Sequence, residues 1–221
     1  MPRVNRCLVE GLIYHVINRG NGKQKVFHKD HDFIAFIKLI REPKKRYHIN
    51  IFAYCLMPNH FHFVLMPRQP NFLSKWIQWL LTTHACRYHS YHKTSGHIWQ
   101  GRFKNFIIQN DEHLITILRY IEGNPVRAGF VLSARDWLWS SHKSRIGEKH
   151  EKLLDNLPIK LPSDWTRYVD EPLTAKELEK LRQSVNHQSP FGNVEWQERK
   201  CQQLGLEHTL RPRGRPRKEI D

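Results

Sequence analysis

Apolar positions along the chain alternate with a period of two in some stretches and recur every three to four residues in others, and that switching predicts the order of the elements. Residues 12–18 (Leu-Ile-Tyr-His-Val-Ile-Asn) are β-branched and aromatic and read as a strand, followed by a Gly- and Asn-containing loop over 19–23. Residues 30–46 open on acidic residues, space Phe33, Phe36, Ile37 and Ile40 at helical intervals and end rich in Lys and Arg, as the helix dipole favours. That predicts a helix despite Pro43. Residues 49–57 and 60–66 read as two strands, and Pro58-Asn59 between them predicts an antiparallel hairpin. From 71 to about 92 the chain has no Gly or Pro and sets Phe72, Trp76, Trp79, Leu80 and Thr83 along one face of a long helix. Residues 101–109 read as a fourth strand, after which Asn110 or Asp111 caps a helix running to about Glu122.

The order βαββαβ followed by one more helix predicts an α+β fold with a ferredoxin-like (RRM-like) antiparallel sheet, strands one and three at its centre. From Trp137 onward prolines recur at 158, 162 and 172, and we divide the chain into residues 1–131, a helical extension over 132–208 and a basic tail over 209–221. In the extension, Thr174 and Glu177 form a capping box ahead of a helix, a second helix over 193–204 is stopped by Gly205, and Ser189-Pro190-Phe191-Gly192 joins them. The pair reads as a packed helical hairpin or, alternatively, a helix-turn-helix reader of DNA.

Charge changes the picture. The formal net charge of +15 is concentrated in residues 1–131, which carry +12, against 0 for 132–210 and +3 for 211–221. A domain so basic attracts polyanions by neutralising phosphates, which makes nucleic acid the leading partner. Cys7, Cys55, Cys86 and Cys201 lack any CxxC pairing and read as buried thiols of a reducing compartment. With no stretch of ~20 apolar residues and no secretory leader in the opening residues, the expectation is a cytoplasmic protein without a membrane partner.

Candidate chemistry sits in two places. His60-Phe61-His62 lies in a strand, whose two-residue period turns both imidazoles to one face and Phe61, Phe63 and Leu65 to the other. Two imidazoles so placed can converge on one divalent ion, zinc as readily as another, although two polar-face histidines without a ligand remain an alternative among fifteen. In the helix after strand four, Leu114, Ile117, Leu118 and Ile121 form the core stripe. Tyr120 falls about 120° from its centre at ~100° per residue, with His113, Thr116 and Asn124 within about 40° of the tyrosine's direction. A metal beside a tyrosine suits attack on a phosphodiester. Arg102 and Lys104 on strand four and Arg119 and Arg127 flanking Tyr120 are candidate phosphate contacts. In the tail, Arg213-Gly214-Arg215-Pro216 matches the core of an AT-hook whose arginines enter the minor groove; a tail making phosphate contacts alone is the other reading. Trp76, Trp79 and Trp99 are candidate base-stacking groups, with a core role the alternative for the first two.

Three runs then carry a resemblance: residues 56–64 (Leu-Met-Pro-Asn-His-Phe-His-Phe-Val), 97–103 (His-Ile-Trp-Gln-Gly-Arg-Phe) and 118–129 (Leu-Arg-Tyr-Ile-Glu-Gly-Asn-Pro-Val-Arg-Ala-Gly). Together they resemble the single-tyrosine HUH transposases, and within them the REP-associated tyrosine transposases. The likeness extends through Trp137 to Ser141, Pro190-Phe191-Gly192 with Trp196, and the basic tail. It implies that His60 and His62 are metal ligands, that Asn124 is a third, where related enzymes commonly carry glutamine, and that Tyr120 is the nucleophile. It also implies Mg²⁺ or Mn²⁺ as cofactor. The expected activity is cleavage and rejoining of single-stranded DNA at repetitive extragenic palindrome hairpins through a 5′-phosphotyrosine, by a monomer or homodimer. Two alternatives share the fold: a non-catalytic DNA- or RNA-binding module in which Phe61 and Phe63 stack bases, and an HUH replication initiator or relaxase.

Overall fold

A computed structural model of the chain describes residues 8–148 and 153–211. Its strands are β1 (Ile13–Arg19), β2 (Ile49–Met57), β3 (His60–Pro67) and β4 (Lys104–Ile108). Its helices are α1 (Asp30–Arg46), α2 (Phe72–His92), α3 (Glu112–Glu122), α4 (Asn124–Arg127), α5 (His142–Arg145), α6 (Trp165–Asp170), α7 (Ala175–His187) and α8 (Val194–Leu204). The sheet order is β2-β3-β1-β4 with every neighbouring pair antiparallel, so the expected ferredoxin-like arrangement with β1 and β3 central is what the chain adopts.

Register decides which residues share a face. Ile17 pairs with His62, Arg19 with His60 and Cys55 with His62, and opposed residues project to the same side. One face therefore carries His15, Ile17 and Arg19 beside His60, His62 and Val64, with α3 packed over it. The other face carries Tyr14, Val16, Phe61, Phe63 and Leu65 and is covered by α1 and α2. Phe61 and Phe63 are fully buried there, so they are core residues and offer no surface for stacking bases.

The helical stripes follow from apolar spacing, with one rotation. In α1, Phe33, Phe36, Ile37 and Ile40 are all buried, and Pro43 sits in the last turn, where the Tyr47 amide still reaches its carbonyl. In α2 the buried set is Leu73, Trp76, Ile77, Leu80 and His84, so the core stripe runs beside the expected one and Phe72, Trp79 and Thr83 flank it half-buried. Trp99 closes the end of this core against Phe27, Phe36, Phe61 and His84. All three candidate stacking tryptophans thus belong to packed interior or its margin. Cys55 and Cys201 are buried as expected; Cys86 is exposed on α2, and Cys7 lies outside the described residues.

The core crosses the division drawn at residue 131, because Ala134, Trp165, Val169, Leu181 and Phe191 join the cluster beneath α3. The extension also covers both sheet edges. Along β2, Leu56 donates to the Trp139 carbonyl, Ser141 to Tyr54 and Asp155 to Ile51, while Trp137 Nε1 donates to the Leu56 carbonyl. Along β4, Phe191 exchanges backbone bonds with Ile107 and Gln109. Unpaired edge groups are thereby satisfied, and the turn at 189–192, which joins α7 and α8, is held against β4. No helix among the described residues is long and apolar enough to cross a membrane.

Candidate functional site

Pro58 and Asn59 make the two-residue link between β2 and β3, and β3 begins at His60, so the histidine pair occupies the mouth of the hairpin at one end of the sheet. His60 and His62 rings lie 5.0 Å apart. His60 is half-buried, whereas His62 is 2% exposed. Asn59 donates through Nδ2 to the Lys23 carbonyl, which leaves its Oδ1 facing His60, and His60 Nδ1 donates to it at 2.6 Å. That bond fixes His60 with its lone pair on Nε2, the nitrogen nearest Asn124. Burial, reinforced by the Arg19 and Arg127 charges, lowers the His60 pKa to about 4, so the ring is a neutral donor at physiological pH. His62 is lowered well below its ordinary value by burial first and then by its histidine and arginine neighbours.

Helix α3 is capped by Asp111, whose side chain accepts from the His113 amide, and its apolar stripe of Leu114, Ile117, Leu118 and Ile121 is fully buried against the sheet. Tyr120, off that stripe and half-buried, brings its ring 5.9 Å from the His62 ring at 90°. His113 and Thr116, set near the tyrosine's direction by periodicity, are instead engaged locally with Asp111 and the Glu112 carbonyl. The helix breaks at Gly123: a Cβ there would lie 3.0 Å from the Arg119 carbonyl and 3.1 Å from that of Val169, so the close passage of α6 favours glycine.

The break starts a new turn at Asn124, with Pro125 preset for its first positions, and this aims Asn124 at the histidines. Asn124 Nδ2 donates to His60 Nε2 at 3.3 Å, and its Oδ1 accepts from Arg127 Nη2 at 2.9 Å. Arg127 also donates to the Tyr120 carbonyl and places its guanidinium 4.2 Å from the centre of the Tyr120 ring. A cation over the phenol face holds the ring and adds positive field beside it.

Residues 60, 62, 120, 124 and 127, scattered in sequence, therefore meet at one sheet end. The donor set suits a divalent cation: a neutral, half-exposed imidazole with its lone pair directed at the cleft, a second imidazole beside it, and a carboxamide that can offer oxygen by exchanging Arg127 for the ion. Among the described residues the cluster of acidic and histidine groups close enough to chelate lies elsewhere, at Asp111, Glu112 and His113.

The other predicted DNA contacts separate. Arg119 is a correction: it is 8% exposed, donates through Nη2 to the Glu171 and Pro172 carbonyls and stacks 4.5 Å over Tyr168, so it ties α3 to the chain after α6 and is withdrawn from solvent and phosphate. Arg102 precedes β4 in a bend and lines a cavity of about 310 Å³ with Ser74, Ile77, Gln78 and Leu81 of α2, away from the tyrosine. Lys104 is exposed on the histidine face, opposite Ile17. Arg213 and Arg215 lie outside the described residues.

Sequence reasoning missed three groups. Arg19 is exposed and in register with His60. His15 is fully buried, stacks on His62 at 5.1 Å and brings Nε2 within 2.8 Å of His62 Nδ1. Glu122, also fully buried, accepts from Ser141 Oγ, Arg145 Nε, His142 Nδ1 and Trp165 Nε1; burial pushes its pKa up, but Arg145, His142 and Ser141 outweigh that and bring it down to about 2. The available signal was a polar residue at an inward position of an apolar strand for His15, and a carboxylate at the end of a buried stripe for Glu122.

Residues 8–124 match the family described as Transposase IS200 like. A putative REP-associated tyrosine transposase of Haemophilus influenzae is 30% identical over 122 residues, 50% of this chain and 69% of that protein. The REP-associated tyrosine transposase of Escherichia coli is 28% identical over 136 residues, 59% of this chain and 76% of that protein. A solved structure of a REP-associated tyrosine transposase bound to a REP hairpin aligns with a TM-score of 0.55 at 19% identity, over 74% of this chain and 100% of that one, which shows a shared fold.

Proposed function

This chain belongs to the IS200-like transposase family, and from that premise we propose that it cleaves and rejoins single-stranded DNA at palindromic hairpins, with Tyr120 as nucleophile and His60, His62 and Asn124 as the holders of a Mg²⁺ or Mn²⁺ ion. The observation that carries the proposal is the meeting of Tyr120 with the His60–His62 pair in one cleft, the tyrosine ring perpendicular to His62 at 5.9 Å. The name of the related protein solved with a REP hairpin, and the excess of positive charge in residues 1–131, support a hairpin DNA substrate.

A divalent ion held at the imidazoles supplies Lewis-acid polarisation of the phosphodiester and offsets charge developing on its oxygens. The chain's own groups do the rest. Arg19 and Arg127 flank the histidines with positive charge and can receive the phosphate oxygens. Arg127, bonded to Asn124 and stacked on Tyr120, keeps the phenol aimed at the cleft. The Tyr120 Oη lone pair forms a bond to phosphorus as its proton passes to solvent. The P–O3′ bond breaks, and the departing 3′ oxygen takes that electron pair and a proton. The products are a 5′-phosphotyrosine and a free 3′-hydroxyl. Bond energy is conserved in the ester, so a 3′-hydroxyl can reverse the step and join strands.

Incubating a hairpin labelled on the 3′ side of the cleavage site with the protein and Mn²⁺ tests the reading. A protein–DNA adduct that survives denaturation, absent in Tyr120→Phe and falling at least about a thousandfold in rate in His60→Ala, is expected, because several kcal/mol of transition-state stabilisation are removed. An undiminished adduct in Tyr120→Phe overturns the nucleophile. Rapid cleavage by His60→Ala overturns the metal assignment. A base-stacking module without cleavage finds no support, since Phe61 and Phe63 are interior.

A further inference from the structure

We infer that His15 is a positioning residue for His62: by accepting the proton of His62 Nδ1 it leaves the His62 Nε2 lone pair free for the divalent cation, an inference that rests on the metal reading above. His62 is 2% exposed, and its Nδ1 has one partner, His15 Nε2, at 2.8 Å across the β1–β3 pairing. Two neutral imidazoles in that contact share one proton along the N···N line. If His15 Nε2 carries it, His62 Nδ1 is the acceptor and His62 holds its own proton on Nε2, where no cation can bind. If His62 Nδ1 carries it, Nε2 is a lone pair and the ring is a ligand. Only the second arrangement serves the site, and His15 is the group that permits it.

His60 shows the same logic with a different partner. Its Nδ1 donates to Asn59 Oδ1, which can only accept, so its tautomer is fixed by a turn residue already in place. His62 lies two residues further into the sheet, beyond reach of any turn, and β1 must supply the acceptor. A leucine at position 15 would fill the strand's inward position between Ile13 and Ile17, but it would leave His62 Nδ1 without a partner. The tautomer that serves the ligand carries a cost. When His62 donates, His15 holds its remaining proton on Nδ1, a buried nitrogen without a hydrogen-bond partner. Buried unmatched donors are rare in folded proteins. The opposite tautomer leaves an unmatched lone pair there instead, which is the milder defect. Cation binding at His62 Nε2 would therefore select the second pair of tautomers: the His62 Nε2 proton leaves to solvent, the shared proton moves from His15 Nε2 to His62 Nδ1, and His15 Nδ1 takes up a proton, so both rings stay neutral.

The test uses the full chain as His15→Leu and His15→Gln, with His62→Ala as reference, and reads Mn²⁺ binding by titration calorimetry. It also reads the His62 tautomer by ¹⁵N–¹H NMR with and without Mg²⁺, and the thermal midpoint. Leucine removes the acceptor at similar volume; the glutamine Oε1 restores it. Partners of ligating histidines are worth about 10–100-fold in metal affinity. His15→Leu is accordingly expected to weaken Mn²⁺ binding by about that factor, and His15→Gln to return it to within about threefold of the parent. The parent's His62 should carry its proton on Nδ1 when Mg²⁺ is present. Wild-type Mn²⁺ affinity in a folded His15→Leu, or a proton on His62 Nε2 in the Mg²⁺-loaded protein, overturns the role of His15. Should His62→Ala bind Mn²⁺ unchanged, the metal reading itself falls. If His15→Leu fails to fold, the His15→Gln titration and the parent's tautomer decide the question.

Discussion

Two polar clusters lie under α3, one around Glu122 and one around His60 and His62, and they differ in how fully their hydrogen bonds are made. Glu122 sits at zero exposure with four donors on its two oxygens, and one of them, Arg145, also donates to the Phe52 carbonyl. His142 is satisfied at both nitrogens, the second by Thr166. The histidine cluster is looser: His15 Nδ1 is unmatched, His60 Nε2 has one long contact from Asn124, and Tyr120 is half-exposed to the cleft. A saturated network has nothing left to bind and fixes geometry; an unsaturated one keeps lone pairs and donors for a ligand. The first holds the C-terminal end of α3 against α5 and α6, and so holds Tyr120 two residues away.

The largest effect follows from emptying the saturated cluster. Glu122→Leu leaves Arg145 and His142 buried beside an apolar side chain, and removing one member of a buried ion pair costs about 3–5 kcal/mol. Urea unfolding should show that loss. His60→Ala should shift stability by less than about 1 kcal/mol while abolishing adduct formation. If His60→Ala unfolds the protein as much as Glu122→Leu, the division between a structural and a functional cluster is wrong.

Acid separates the clusters next. Glu122 has a folded pKa of about 2 against an ordinary value of 4.5, so the unfolded chain takes up its proton first as pH falls. The stability it contributes is complete above about pH 4.5 and is lost on the way down to about 2. His15 is lowered by burial from 6.5 to about 3, and His84, buried between α1 and α2, to about 4. Below pH 6.5 the unfolded state again binds more protons, so stability falls from there down to those values. The slope approaches ~1.4 kcal/mol per pH unit for a fully buried histidine. Unfolding measured from pH 7 to 3.5 should show an early limb starting near 6.5. His60, His62 and His84 share that limb, so His15→Gln should reduce its slope without abolishing it and leave the Glu122 limb unchanged; an early limb of undiminished slope would remove His15 from its causes.

How much of this was legible depended on whether a residue's role was set by its own element. The α3 stripe, the hairpin and the shared face of His60 and His62 are local periodicity, and the chain adopts them as predicted. Tyr120 stands off the stripe for the same reason. His15 is different: its partner is 47 residues away, and only the β1–β3 register brings them together. Glu122 looked like a helix end because its donors come from residues 141–165. Helix α2 rotated from its expected stripe because the choice between Leu73-Ile77 and Phe72-Trp79 is made by α1 and β3.

Arg119 and Arg127 give the smallest effect and the sharpest contrast, because periodicity alone treats them alike as cations flanking Tyr120. Arg119 gives its Nη2 to the Glu171 and Pro172 carbonyls and its plane to Tyr168. Arg127 is exposed at the cleft. Replacing each by Met should therefore act on different observables. For Arg127→Met, the dependence of DNA affinity on salt should lose about 0.7 of a logarithmic slope, the value of one phosphate on a single strand. For Arg119→Met, that slope should stay unchanged while stability falls by about 1–3 kcal/mol, the cost of leaving buried carbonyls unpaired. A lowered salt slope in Arg119→Met would mean that the carbonyl clamp opens to phosphate when DNA binds. The clamp would then belong with the unsaturated cluster after all.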